Sequence, residues 1–454
     1  MRFRPSALAA LLIAIAPIVG FAQAPTRQGP PDGFTFAAGG DLIGPYHTLV
    51  GVADSAFFNG VVPLFKRADV GFANQEGAIF ELPTFTGFPA AENGGGIPQS
   101  PVAVAHDLKA MGISIVSKAN NHATDWGPEG LLETERVLNE SGIAFAGAGA
   151  SLAAARAPGY LETPKGKVAL VSTASTFTTM SVAGAPGTRR GTPTHARPGL
   201  SALHVEPIEL RPADEISRIR SITYGTGAKP GPQVTVGGQV FRTAAASGLT
   251  WEMNKDDEAA IVASVHEARQ QAVFVLFAIH AHETGGASED PGEGSQVERS
   301  DEAQSPDDPR PADFEPRLFH EVIDAGADAV VRTGPHGVTG IEIYRGKPIF
   351  YGLGSLFFDF QGRRSYKVPS GQTLYFPDEW FQTIVPVVTY KNGVVSEIMI
   401  YPMSIESSVQ PTGGAPHPAS AAEGRRILDR LAKLSAAFGT TISIEGGVGV
   451  IRPR

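Results

Sequence analysis

Cysteine is absent from all 454 residues. This excludes disulfides, thiolate metal ligands and the lipidated cysteine that tethers a bacterial lipoprotein. Charge is sparse as well: Asp, Glu, Lys and Arg make up 18% of the chain, and no long run of Lys or Arg occurs. The 46 acidic and 37 basic residues leave a net charge of -9. A general affinity for nucleic acid is thereby excluded, because binding a phosphate backbone requires clustered cations. What abounds is glycine and proline, 53 and 36 residues, in a composition that is otherwise that of an ordinary globular protein with 42% hydrophobic residues. Turns and irregular connections should be frequent.

Residues 1–24 have the parts of a secretory signal peptide: Arg2 and Arg4, an apolar stretch from Ala7 to Phe21, and Ala22-Gln23-Ala24 as a small-residue cleavage motif. The sequence predicts export to the periplasm or the exterior, with no stable membrane insertion after cleavage. The alternative is an uncleaved anchor, opposed by Pro17 and by an apolar core shorter than the roughly 20 residues that span a bilayer.

Beyond this segment, short apolar runs alternate with helical patterns. Phe34 to Ala38 reads as a buried strand ending in Gly39-Gly40-Asp41, and Val70 to Ala73 as another ending in Asn74-Gln75-Glu76-Gly77. Pro101 to Met111 has helical spacing with Gly112 as a stop. Ile113 to Val116 then leads into Lys118-Ala119-Asn120-Asn121-His122-Ala123-Thr124-Asp125-Trp126-Gly127, followed by a helix over Gly130 to Asn139. This rhythm indicates α/β architecture with at least part of a sheet parallel. From Thr173 to about Trp251 periodicity weakens, and the stretch reads as a surface excursion. Order returns with a helix over Asp257 to Gln270 and the apolar strand Val273 to Ile279, which ends in His280-Ala281-His282-Glu283. Thr284 to Pro316 is acidic and proline-rich, a solvated insertion in preference to a lid. A helix over Arg317 to Ala325, the strand Ala329 to Val331 and Thr333-Gly334-Pro335-His336-Gly337 come next. Hairpins about Arg345-Gly346 and Asn392-Gly393, a helix over Ala421 to Phe438 and a strand over Thr441 to Ile444 complete the chain.

Five strand exits thus hold Asp41, Glu76, Asn121 with His122, His280 with His282 and Glu283, and His336. Open α/β sheets place their chemistry at such exits. Oxygen and imidazole donors without sulfur suit Zn, Mn or Fe better than Ca, and carboxylates can bridge two ions about 3.5 to 4 Å apart in a hydrolytic centre. Each residue also has a plainer reading. The Asn-Asn-His segment could cap the helix that follows, Asp41 could be a turn residue beside two glycines, and His280 could be a satisfied core histidine.

Taken together, Gly40-Asp41, Asn74-Gln75-Glu76-Gly77, Ala119-Asn120-Asn121-His122 with Asp125, Asp324-Ala325-Gly326-Ala327-Asp328, Gly334-Pro335-His336 and Gly346-Lys347-Pro348-Ile349-Phe350-Tyr351-Gly352-Leu353-Gly354-Ser355 resemble the CapA family of capsule or poly-gamma-glutamate biosynthesis proteins. The resemblance runs in order from about Phe34 to Asp359. It implies an α/β fold of two sheets with helices outside, an αββα sandwich of the metallophosphoesterase-like type with late antiparallel hairpins. It implies a domain over 34–403 with insertions at about 173–251 and 284–316, and a C-terminal helix and strand over 404–454 packing on it. By the same similarity Asp41, Glu76, Asn121, His280 and His336 fall on ligand positions for one or two divalent ions, with Glu76 bridging. His122 falls on the general-acid or transition-state-stabilising position, oriented by Asp125. The chain departs from the pattern at Ile43, where a histidine is usual two residues after the first Asp, and around Thr333, which weakens one metal subsite. In His280-Ala281-His282 an aromatic residue is replaced, and His282 would restore a ligand if extended geometry persists through Ala281.

The resulting expectation is an exported metal-dependent hydrolase acting on a phosphoester or amide-linked anionic polymer, with capsule-assembly proteins as possible partners. The alternative is a non-catalytic envelope protein that binds such a polymer or an assembly partner. A third reading is an α/β scaffold with incidental polar loops.

Overall fold

The structure, a computed structural model, describes residues 29–44, 60–90, 98–285, 310–358, 364–367, 373–405 and 414–453. The signal segment and most of the acidic stretch 284–316 lie outside the described residues.

In chain order the elements used below are β1 (Thr35–Ile43), β2 (Val70–Glu76), α1 (Ala103–Met111), β3 (Ile115–Ser117), α2 (Gly127–Glu140), β4 (Ala144–Ala146), β5 (Gly159–Thr163) and β6 (Gly166–Ala174). They continue with α3 (Lys255–Gln271), β7 (Phe274–His280), α4 (Phe314–Asp324), β8 (Ala329–Thr333), β9 (Ile341–Tyr344), β10 (Lys347–Phe350) and β11 (Ser355–Phe358). The last are β12 (Gln382–Lys391), β13 (Val394–Ser404), α5 (Ala421–Ala436), β14 (Ser443–Glu445) and β15 (Val448–Ile451).

Two sheets dominate this mixed α/β fold. The first runs β14-β15-β13-β12-β1-β2-β3-β4, with β11 also pairing to β1. Strands β1 to β4 are parallel, whereas β12 and β13 join antiparallel. The second sheet runs β9-β10-β8-β7-β6-β5, with β6, β7, β8 and β10 parallel. Strand β7 shows why its sequence is apolar without alternation. Phe274, Leu276 and Ala278 join a cluster shared with Phe36, Phe72 and Ile115 of the first sheet, while Val275, Phe277 and Ile279 face Val265 of α3 and Leu318 and Val322 of α4. Both faces are covered, so neither can be polar. The rings of Phe34 and Phe274 stack 4.8 Å apart between the sheets. On the far side of the first sheet, Val104 and Leu108 of α1 and Val137 and Leu138 of α2 cover Ala37, Ala73 and Val116. Ile427, Leu428 and Leu431 of α5 close the shared cluster.

The two expected hairpins form, β9–β10 and β12–β13. Their turns hold Arg345-Gly346 and Asn392-Gly393 at positive φ in both residues. This conformation matches strand twist and favours Gly and Asn. The excursion 173–251 is more ordered than its sequence suggests. It carries a four-stranded sheet of Val205–Arg211, Gln233–Val236, Gln239–Thr243 and Gly248–Met253, with a helix over Ala213–Tyr224. Val205–Arg211 buries just Val205 and Ile208, three residues apart, so it shows neither a period-two alternation nor a continuous apolar run.

The fold shapes the site through β1. Its register against β2 shifts between Ala38 and Asp41, a bulge occupied by Gly39 and Gly40. A Cβ at Gly40 would stand 1.7 Å from the Gly354 carbonyl oxygen, so only glycine allows that approach. The bulge lets β11 pair with the last residues of β1, with Asp41 opposite Ser355.

Candidate metal centre

The parallel strands of both sheets end on one edge, and their exits hold the polar groups. Asp41 and Glu76 come from β1 and β2 and His280 from β7, and each offers a ligand atom within 4.8 Å of the others. All three are buried, at 0%, 1% and 0% exposure. Buried charge in that density requires compensation, and a network supplies part of it. The Asn74 side-chain amide donates to Asp41 Oδ1 at 2.8 Å and faces His280 Nδ1 at 3.3 Å. Asn120 donates to Asn74 Oδ1 at 3.2 Å and to the Gln75 carbonyl at 2.9 Å. The Gly334 amide, turned inward at φ +109°, donates to Asp41 Oδ2 at 3.1 Å. Thr333 Oγ1 lies 3.1 Å from His280 Nδ1.

The remaining sequence candidates surround this triad. His122 Nδ1 contacts Asp125 Oδ2 at 2.6 Å, which leaves Nε2 directed at Glu76 Oε1, 3.7 Å away. Asn121 is buried on the loop just ahead of it. Strand β7 stops at His280, yet His282 still turns inward: its Nε2 is 3.1 Å from His280 Nε2, and its backbone amide donates to Thr176 Oγ1 at 2.8 Å. His336 is set further out, its ring 6.0 Å from that of His282 and 4.2 Å from Trp380, with Nδ1 3.3 Å from Ser355 Oγ. Ile43 pairs with Glu76 on the neighbouring strand and adds no donor.

Sequence reasoning gave no role to Lys118, Arg332 or Trp380, although all three belong to this edge. Lys118 and Arg332 are fully buried cations, visible in sequence only as charges beside apolar strands.

Burial by itself drives the cluster toward neutrality. It raises Asp41 above its usual 3.8 despite the hydrogen bonds from Asn74 and Gly334. It also holds His280 well below the usual 6.5, helped by the charges of His282, His122, His336 and Arg332. A divalent cation reverses both tendencies, since carboxylates and neutral imidazole are its ligands. A neutral buried His280 has a consequence for the metal-free protein. The unfolded chain takes up a proton near 6.5, and the folded chain does so only at lower pH. Acidification therefore removes His280's share of the stability, up to about 2 kcal/mol between pH 7 and 5, while the raised carboxyls of Asp41 and of Glu135, pushed up to about 7, act in the opposite sense. Urea midpoints at the two pH values measure this, and His280→Asn should remove that residue's share.

The fold is a mixed α/β scaffold with an oxygen- and imidazole-rich cluster at its strand exits, and comparison with known proteins gives its family. The chain belongs to the bacterial capsule synthesis protein family PGA_cap, whose model matches residues 35–297 and 304–360. It is 37% and 36% identical to two uncharacterized proteins of Sinorhizobium fredii, y4sH and y4uA, over 94% of this chain and 95% of each relative. It is 24% identical to a probable polyglutamine synthesis accessory protein of Mycobacterium tuberculosis, over 56% of this chain and 48% of that one. A crystal structure of a hypothetical protein from Thermus thermophilus is similar at a TM-score of 0.37 and 12% identity, over 82% of this chain and 99% of that one. Among the described residues no helix is long and apolar enough to cross a membrane.

Proposed function

We propose that this capsule-family protein is an exported, metal-dependent hydrolase that cleaves a phosphoester or an amide-linked anionic polymer at the cell envelope. We read its two sheets and outer helices as a sandwich of the metallophosphoesterase-like type. The observation that carries the proposal is the convergence of Asp41, Glu76 and His280 within 4.8 Å, beside a His122–Asp125 pair. The donor set, two carboxylates and an imidazole without sulfur, fits one or two ions of the Mn, Zn or Fe kind. Such an ion supplies Lewis acidity toward water and the scissile group.

The protein's own groups divide the remaining tasks. Asn74 and the Gly334 amide orient Asp41. Asp125 accepts from His122 Nδ1 and so fixes the ring with Nε2 facing the cluster, where it can deliver a proton to the leaving group. His282 is placed against His280 to act as a further donor. The mycobacterial relative is named for polyglutamine synthesis, which supports an amide-linked polymer as the substrate class. Capsule-assembly proteins are the corresponding partners.

The test is metal analysis of the purified protein together with assays of generic phosphodiesters and gamma-glutamyl amides. Stoichiometric divalent metal and turnover of one substrate class are expected. His122→Ala should keep the metal and lower kcat by about 10²- to 10⁴-fold. A second reading, a non-catalytic binder of the same polymer, is favoured by Ile43 and Thr333 at positions where ligand histidines are usual. Metal-free protein that still binds polymer would establish it and overturn the hydrolase.

A further inference from the structure

Two buried cations stand behind the cluster, and each grips the carbonyls on either side of one of its residues. Lys118 Nζ donates to the carbonyls of Gln75 and Gly77, at 3.4 and 2.9 Å, which flank Glu76. Arg332 donates from Nε to the Ala281 carbonyl at 3.1 Å and from Nη2 to that of Glu283 at 2.7 Å, which flank His282. Its Nη1 reaches the Tyr351 carbonyl at 3.3 Å. Lys118 is 0% exposed and Arg332 2%.

The need for these contacts follows from where the sheets end. The β2–β3 ladder stops at Asn74 opposite Ser117, and the β7–β8 ladder at His280 opposite Thr333. Beyond those pairs the chain stays extended enough to aim Glu76 and His282 inward, but on that side no strand among the described residues continues the ladder to satisfy its carbonyls. Buried carbonyls require a donor. Lys118 is the residue directly after β3, and Arg332 lies on β8, one residue before that strand ends. Each therefore replaces part of the missing ladder, Lys118 mainly at the Gly77 carbonyl, since that of Gln75 also accepts from the Asn120 amide at 2.9 Å. At Lys118 an apolar side chain would be less costly to bury, so simple core filling does not account for the charge, and at Arg332 the guanidinium also pairs with the buried Glu315 carboxylate at 2.9 Å, which fixes its head beside the carbonyls it holds.

We infer that Lys118 and Arg332 are positioning residues that substitute for absent β-ladder bonds and so hold Glu76 and His282 in register for a divalent ion. The inference rests on the metal-centre reading above. It is separate from that reading, because a metal site built on Glu76 and His282 does not by itself require either cation.

Cobalt(II) titration of the metal-free full chain tests it, read by calorimetry and by the visible ligand-field spectrum. Lys118→Met and Arg332→Met should each weaken Co²⁺ binding by about 10- to 100-fold and alter the spectrum. Lys118→Arg and Arg332→Lys should recover most of the affinity. Because Lys118 is inferred to act through Glu76, Lys118→Met should add little further loss in a Glu76→Gln background, and Arg332→Met little in a His282→Ala background. Additive losses, or variants that bind as the parent does, would overturn the inference while leaving the metal centre standing. Failure of the parent to bind Co²⁺ would overturn the metal centre itself, and the inference with it. Unfolding curves of the metal-free variants accompany the titrations. Should a Met variant not fold, Lys118→Gln and Arg332→Gln, which keep one donor, carry the same expectation at a smaller size.

Discussion

Glu76→Ala is expected to abolish stoichiometric divalent-ion binding while leaving the melting temperature of the metal-free protein unchanged or higher. Glu76 is 1% exposed and lies beside Asp41, His122 and His280. Without an ion, burial already pushes Asp41 toward its neutral form, so a second carboxyl in the same space stabilises the fold little. Lys118 is also pulled down to about 8 by burial, against the opposing charges of Glu135, Asp125 and Glu76. Of these three carboxylates Glu76 supports Lys118 least, so removing it costs the folded chain little on that account. Removing one of three inward ligands should reduce affinity on the order of 100-fold or more, since even residues behind a ligand are worth about 10- to 100-fold. Calorimetric titration with Mn²⁺ or Zn²⁺, paired with thermal melts in chelator, measures both halves. A large drop in metal-free stability with intact metal binding would make Glu76 a structural residue.

Asp328→Ala should have the opposite profile, a loss of about 3 to 5 kcal/mol in folding stability with the metal ligands untouched. Asp328 directly precedes β8, at the end of the strand away from Thr333. Its carboxylate takes Arg269 at 2.6 Å, Lys347 at 2.5 Å and the Val275 amide at 2.9 Å. Lys347 also donates to the Gly393 carbonyl, and the Tyr390 hydroxyl to that of Asp328, so groups from both sheets meet there. Alanine would leave two largely buried cations uncompensated and an amide unpaired. Asp328→Asn keeps the shape and an acceptor for Val275, and should lose less. Urea midpoints rank the three proteins, and equal midpoints would refute the role.

Much of this arrangement was legible in the sequence wherever local chemistry is decisive. The continuous apolar run ending at His280 announces a strand covered on both faces, and Arg345-Gly346 and Asn392-Gly393 announce their turns by the conformations that such residues tolerate. Asp41, Glu76 and His280 could be named because each stands at the end of an apolar run or just past two small or polar residues after it, where a strand must hand its chain to the edge. Less legible was anything that depends on a partner distant in sequence. His282 could be placed inward only on a condition about Ala281, because the bond that holds its backbone comes from Thr176, 106 residues earlier. The sheet within 173–251 escaped notice because each of its strands buries one or two residues, too few to make a period, with Glu and Pro between them in Val205–Arg211. Lys118 and Arg332 were opaque for a related reason. A cation beside a strand reads as a solvated edge until the fold shows that no water reaches it.

The cluster draws its donors from both layers of the molecule, Asp41 and Glu76 from one sheet and His280 from the other. At the opposite end Asp328 and Lys347 join the same two layers through charge. The protein is therefore bound like a book, with its spine at Asp328 and its open margin at the strand exits. An ion held as proposed by Asp41 and His280 would be a clasp on that margin, so that loading the centre and locking the two leaves together would be one event.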